Sequence, residues 1–271
     1  MTLDLEKDND LKEKILAENR RVHALEGGLY LERHPEQTNF FQTGILKKSI
    51  HRLTAELGDK ESRVLDLGCG TGYLYLPLLA RGCRMTGVDL SPEMVQGLKK
   101  KIPRATASRS SLTVMAVEAF VETDVETYDA VVMSALLHHL YDYQSLIQKV
   151  CRKLPPGGLF WVFFEPLKQE ITSPFRYLLH KGTARLDETV YQLEMKVRKI
   201  PLFEEAYDLS DYQRRFGGID PNRMMETLHS EGMQIIDLEK YCSRRYAFPA
   251  FFATRLLGAQ NTFNLLAKKR A

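Results

Sequence analysis

The 271-residue chain has room for one large α/β domain with an elaborated substrate region, and two independent cores would be crowded. Its 44% hydrophobic and 27% charged residues are ordinary for a soluble globular protein, and a net charge of +3 is too small to argue for a nucleic-acid footprint. Cys69, Cys83, Cys151 and Cys242 lie far apart with no C-x-x-C pair and no zinc spacing, so the expectation is a reduced, cytoplasmic protein without disulfide or structural metal.

The opening "MTLDLEKDNDLKEKIL" alternates acid and base and lacks a signal-peptide core, and no later run is long and apolar enough to span a membrane. Residues 11–57 read as helices, with Ile45, Leu46, Ile50, Leu53 and Leu57 on a helical period. Strand-like and helical runs then alternate: "SRVLDLG", "LYLPLLARG", "RMTGVDL", "SPEMVQGLKKKI", "LTVMAVEAF", "YDAVVMSAL", "YQSLIQKVCRKL" and "GLFWVFFEP". Such alternation predicts a parallel sheet covered on both faces. Ser91 and Pro92 form an N-cap and first-turn pair, and "PPGG" at 155–158 stops a helix before a strand. After Pro166 the alternation breaks for about fifty residues, a length typical of a lid or binding insertion, and too apolar for a disordered linker. A helix from Asp220, the strand-like "MQIIDLEKY", the apolar "AFPAFFATRLLGAQ" and a last strand candidate, "NTFNLLAKK", complete the chain.

The most informative stretch is "VLDLGCGTG", where Asp66, Gly68, Gly70 and Gly72 follow a strand and precede a helix. Glycine serves where the backbone takes positive φ or a ligand approaches without meeting a Cβ. A second strand ends about twenty residues on in Asp89, whose carboxylate can accept two hydrogen bonds from a ribose diol. A pyrophosphate disfavours a carboxylate beside it, whereas the ammonium of a methionine moiety favours one. Asp66, the glycines at every second position and the absence of a Walker-type lysine favour S-adenosylmethionine over a dinucleotide.

"VLDLGCGTG" with "VDLSPEMV" resembles the first two motifs of class I S-adenosylmethionine-dependent methyltransferases. "YDAVVMSALLHHL" and "LPPGGLFWVFFEP" are similar to the family's fourth strand and its approach to the fifth, and the tone is that of small-molecule enzymes such as the ubiquinone-biosynthesis O-methyltransferases. The resemblance implies a Rossmann-like seven-stranded sheet of order 3-2-1-4-5-7-6, with strand seven antiparallel and helices on both faces. It divides the chain into an N-terminal helical lid (1–58), a cofactor-binding core (59–166), an inserted substrate region (167–218) and a C-terminal completion of the sheet (219–271). It assigns Asp66, Gly68, Gly70 and Gly72 to the methionine end, Asp89 to the ribose, Leu90, Met94, Val117 and Glu118 to the adenine, and Ser134 to the sulfonium.

His138 and His139 are candidates for a general base, because imidazole titrates near neutrality, or are a capping residue and a packed core histidine. Tyr30 and His34 from the lid, and Phe175, Arg176, Tyr177 and His180 from the insertion, are candidates for the acceptor pocket; the alternatives are a surface helix and simple lid core. The run flanked by Arg244, Arg245 and Arg255 packs on the lid, forms a homodimer contact or makes a peripheral membrane or lipid-binding surface. The expected reaction is methyl transfer to an O, N or C nucleophile of a small molecule. A lipid-like acceptor and a non-catalytic cofactor-binding regulator are the alternatives. A nucleic-acid methyltransferase would show an N/D-P-P-Y/F tetrapeptide where this chain reads "SALL".

Overall fold

The computed structural model describes residues 2–26, 29–58, 61–167, 171, 173–202 and 209–270. Parts of the inserted region, residues 168–170, 172 and 203–208, lie outside the described residues. The elements in chain order are α1 (Thr2–Glu26), α2 (Tyr30–Arg33), α3 (Pro35–Thr38), α4 (Phe40–Leu57), β1 (Arg63–Leu67), α5 (Tyr75–Ala80), β2 (Arg84–Asp89), α6 (Pro92–Lys101) and β3 (Ser110–Val114). They continue with α7 (Val117–Thr123), β4 (Ala130–Ser134), α8 (Tyr143–Lys153), β5 (Leu159–Pro166), α9 (Pro174–Val197), α10 (Pro221–Ser230), β6 (Met233–Tyr241), α11 (Ala247–Arg255) and β7 (Thr262–Lys269).

The seven strands form one sheet of order β3-β2-β1-β4-β5-β7-β6. Strands β1 to β5 pair in parallel, and β7 runs antiparallel to both β5 and β6, as the family resemblance implies. The parallel strands are apolar runs because helices cover both faces. Alternation along β5 shows the two layers. Phe160 and Val162 join α7, α8 and α10 through Phe120, Leu146, Val150 and Leu228, while Trp161 and Phe163 join α4 and α5 through Ile50, Leu53, Tyr75 and Leu78. The candidate strand "LTVMAVEAF" divides: β3 ends at Val114 and "VEAF" begins α7.

Helix starts follow the local chemistry. The side chains of Asn39, Ser91, Asp142, Ser173 and Asp220 accept from backbone amides two or three residues ahead, and Pro92, Pro174 and Pro221 occupy first-turn positions that need no N–H. No helix among the described residues is long and apolar enough to cross a membrane. The four cysteines are buried and unpaired with one another.

Candidate active site

The site lies over the carboxyl ends of β1, β2, β4 and β5, where a doubly wound sheet opens a crevice. Directly after β1 the chain turns through Gly68 at φ +70° and Gly72 at φ +92°. A Cβ at Gly68 would stand 2.9 Å from Leu136 Cδ1, and one at Gly72 would stand 2.5 Å from Leu98 Cδ1, so these two glycines are required by packing as well as by backbone. At Gly70 a Cβ would meet nothing closer than 3.9 Å, which leaves an open cradle for a ligand. The Gly70 amide donates to Asp89 Oδ2 at 2.8 Å, and the Ser91 amide donates to Asp89 Oδ1 at 2.9 Å. Asp89 thus caps its own turn while standing at the end of β2 beside the cleft.

The cleft encloses about 580 Å³ counting its mouth and is lined by Asp66, Gly68, Gly70, Tyr73, Asp89, Met94, Ser134 and His139, with His23, Tyr30 and Gln37 from the N-terminal helices. Asp66 is 1% exposed, and its Oδ2 has no hydrogen-bond partner among the described residues. Burial, and then the nearby Asp89 carboxylate, push the Asp66 carboxyl well above the usual range. An orphaned buried carboxylate oxygen at a cleft wall suits a cationic ligand group. A second hollow of about 430 Å³ adjoins the first, sharing Gly68, Asp89, Leu136, His23 and His139 with it; Leu90, Val117 and Glu118 stand on its far side. The two hollows share these five residues, Asp89 among them, and form one elongated crevice.

The two histidines part company. His138 is buried, and its Nδ1 lies 2.8 Å from Glu165 Oε2 and its Nε2 3.5 Å from Asp211 Oδ1. Glu165, fully buried in β5, also accepts from the Leu136 and Leu137 amides at 2.7 and 2.8 Å, so it fixes the short 3₁₀ turn after β4. His139 lines both hollows, and its Nδ1 donates to the Ser210 carbonyl, which leaves the lone pair on Nε2. Burial, and then the neighbouring His138, hold the His139 imidazole well below its ordinary value, so it is neutral near pH 7. Burial works against the Asp211 carboxylate, but the neighbouring His139 and His138 imidazoles and the Arg214 guanidinium outweigh it and keep it below the usual range. His138, His139 and Asp211 hold three donor atoms within 4.8 Å of one another, a set able to take a divalent cation.

The rings of the lid candidates Tyr30 and His34 lie 4.5 Å apart between centroids, tilted at 39°, and Tyr30 Oη accepts from Gln37 Nε2 at 2.9 Å. Only Tyr30 of this pair lines the cleft. In the insertion, Phe175 and Tyr177 are 69% and 42% exposed, and neither lines the crevice. His180 is buried and accepts from Arg244 Nη2; burial, and then Arg244, push it down to about 4. Sequence reasoning passed over His23, Gln37, Tyr73, Glu165 and Asp211. Tyr73, next to the last motif glycine, had a positional signal; the others come from distant segments and had none.

A third chamber, about 1060 Å³ counting its mouth, adjoins the cleft and is lined by Glu36, Phe164, Asp187, Arg214, Arg244, Arg245 and Asn261. Glu36 lines this chamber and its chain neighbour Gln37 lines the cleft, and Phe164 of the chamber follows Phe163, the β5 partner of Ser134 in the cleft. Phe164 sits in a β-bulge of β5 at φ +60°, held by a 2.9 Å bond from its amide to Asn264 Oδ1.

Comparison with known proteins gives a consistent picture. The sequence model of the family described as "Methyltransferase domain" matches residues 40–228. The ubiquinone biosynthesis O-methyltransferase of Vibrio cholerae is 33% identical over 111 residues, covering 41% of this chain and 44% of that protein. The chain therefore spans less than half the length of the ubiquinone-biosynthesis relatives it matches. The malonyl-[acyl-carrier protein] O-methyltransferase of Priestia megaterium is 26% identical over 227 residues, 78% of this chain and 79% of that protein. Among solved structures, the magnesium protoporphyrin IX methyltransferase of Synechocystis, crystallised with S-adenosylhomocysteine, superposes with a TM-score of 0.57 at 16% identity, covering 93% of this chain and 99% of that one.

Proposed function

Because the chain belongs to the class I S-adenosylmethionine-dependent methyltransferases, we propose that it moves a methyl group from S-adenosylmethionine to an oxygen or nitrogen of a small molecule bearing an acidic group. The observation that carries the reading is the pairing of the unpartnered Asp66 oxygen with the open Gly70 cradle at one end of the crevice. Both features fit the methionine moiety, as Asp89 fits the ribose hydroxyls and Leu90, Val117 and Glu118 the adenine.

S-adenosylmethionine supplies a methyl group already activated as a sulfonium, so the protein chiefly aligns the acceptor and excludes water. The new O–C or N–C bond forms as the S–C bond breaks, and S-adenosylhomocysteine departs. An acceptor that arrives protonated needs a base; neutral His139, with its Nε2 lone pair, is suited to that step. Glu165 and His138 are positioning residues behind it: they hold the turn that carries His139. Of the adjoining chamber's arginines, Arg214 and Arg245 pair with Asp211 and Glu188, and Arg244, hydrogen-bonded to His180, is the one that favours a carboxylate or phosphate on the acceptor. The Priestia relative named for a malonyl group points in the same direction.

Calorimetry with S-adenosylmethionine and S-adenosylhomocysteine tests the reading. Micromolar binding that Asp89→Ala weakens by about tenfold or more supports it, and no binding of either by folded protein overturns it.

A further inference from the structure

Helix α9 carries an apolar stripe that no described residue covers. Its inner face buries His180, Asp187, Tyr191 and Met195. On the opposite side Phe175, Leu179, Leu186, Val190, Leu193 and Val197 are 69%, 39%, 65%, 44%, 62% and 74% exposed. At 3.6 residues per turn these six, with exposed Gly182, fall within about 40° of one direction. A monomer has no reason to hold so continuous an apolar row against water.

The spacing of the row identifies its occupant. Residues 182 and 190 stand four positions either side of Leu186, 179 and 193 seven, and 175 and 197 eleven. The row is therefore a palindrome about Leu186. Two copies of α9 laid antiparallel across a two-fold axis at Leu186 bring each apolar residue to the height of another: Leu186 to itself, Leu179 to Leu193, Phe175 to Val197. Gly182 faces Val190, and a Cβ at Gly182 would meet nothing, so the backbones can approach there. The same operation sets Arg176 about two residues of helical rise from Glu194 of the partner subunit, on the same flank. We propose that this stripe is an isologous interface at which a second copy of the chain docks, α9 against α9.

Other occupants fit less well. A surface-lying membrane helix carries cations on its polar face, whereas α9 presents Glu188 and Glu194 beside its lysines and arginines. Residues 203–208, outside the described residues, would span at most about 20 Å against the helix's roughly 36 Å. Six exposed side chains from each copy offer on the order of 1,000 Å², the scale of a specific interface.

The test is sedimentation equilibrium of the full chain at micromolar concentration, with Leu186→Asp, circular dichroism and oxidative cross-linking. A dimer that Leu186→Asp converts to a folded monomer is expected, since Leu186 meets its own copy. Leu186→Cys should cross-link alone. Gly182→Cys and Val190→Cys should cross-link when mixed and not singly. A monomeric parent chain overturns the proposal, as does a dimer indifferent to Leu186→Asp or one whose Leu186→Cys form fails to cross-link. Monomer that binds anionic vesicles through this face assigns the stripe to a bilayer and also overturns it.

Discussion

The cofactor end and the acceptor end of the crevice are built differently. Over β1 and β2, at the end assigned to the cofactor, the wall is backbone and side chains from one continuous stretch, residues 66–94, whose geometry is set by local turns. Over β4 and β5 the walls come from α1, α2, α3, the turn after β4, Arg214 and residues 244–245, which meet only because the chain folds back on itself. A site made from one segment tolerates little substitution, while a site assembled from many can change its substrate without disturbing the cofactor.

That contrast predicts how variants should divide. The largest effect belongs to His139→Ala: with an acceptor protonated at the assay pH, kcat should fall by about 10²- to 10⁴-fold, while S-adenosylhomocysteine affinity by calorimetry changes far less. A comparable loss in affinity would move His139 to the cofactor side. Asp89→Ala should do the reverse, weakening S-adenosylhomocysteine by roughly 10- to 100-fold, the worth of losing charge-assisted hydrogen bonds; unaltered affinity would break the assignment of that end.

Gly72→Ala should lower stability by about 1–3 kcal/mol for the backbone conformation alone, with Leu98 in the way of the new methyl group. Thermal unfolding measures it, and an unchanged Tm would contradict the packing described. Tyr73→Phe removes the 2.8 Å bond to the Gln37 carbonyl that ties α3 to the glycine turn. It should cost about 1 kcal/mol and appear as faster hydrogen exchange in α2 and α3, with kcat little changed.

The pH dependence sharpens the same division. The His139 value is depressed in the folded protein, so the unfolded chain binds the extra proton first as pH falls. Its contribution to stability is whole above the ordinary value near 6.5 and is lost as pH drops below it. Activity that uses neutral His139 should persist through pH 6.5 and decline only at lower pH. His139→Gln should flatten that acid limb in a pH–rate profile; an unchanged limb would remove the base from the mechanism.

Much of this could be read before any coordinates. Asp66, the three glycines and Asp89 lie within twenty-four residues, where a strand, a tight turn and a helix start dictate one another's geometry. The alternation of apolar runs was enough to expect a parallel sheet, and the motif resemblance supplied its order and the antiparallel β7. The histidine pair was visible, but its division of labour was not. Nothing in "LLHHL" says that His138 turns to Glu165, twenty-seven residues on, while His139 faces the crevice. The aromatic insertion suggested a pocket, yet Phe175 lies on the outer face of α9, Tyr177 is 42% exposed, and neither lines the crevice.

Local pattern determined which cofactor chemistry this chain is shaped for, because the turn that meets the cofactor is a short-range object with strict backbone demands. Tertiary structure alone decided which side chains line the far wall of the crevice, since those contacts join residues more than a hundred positions apart, as Asn19 joins the carbonyl of His139. Burial and neighbouring charge, which depend on such contacts, also set the protonation of each group there.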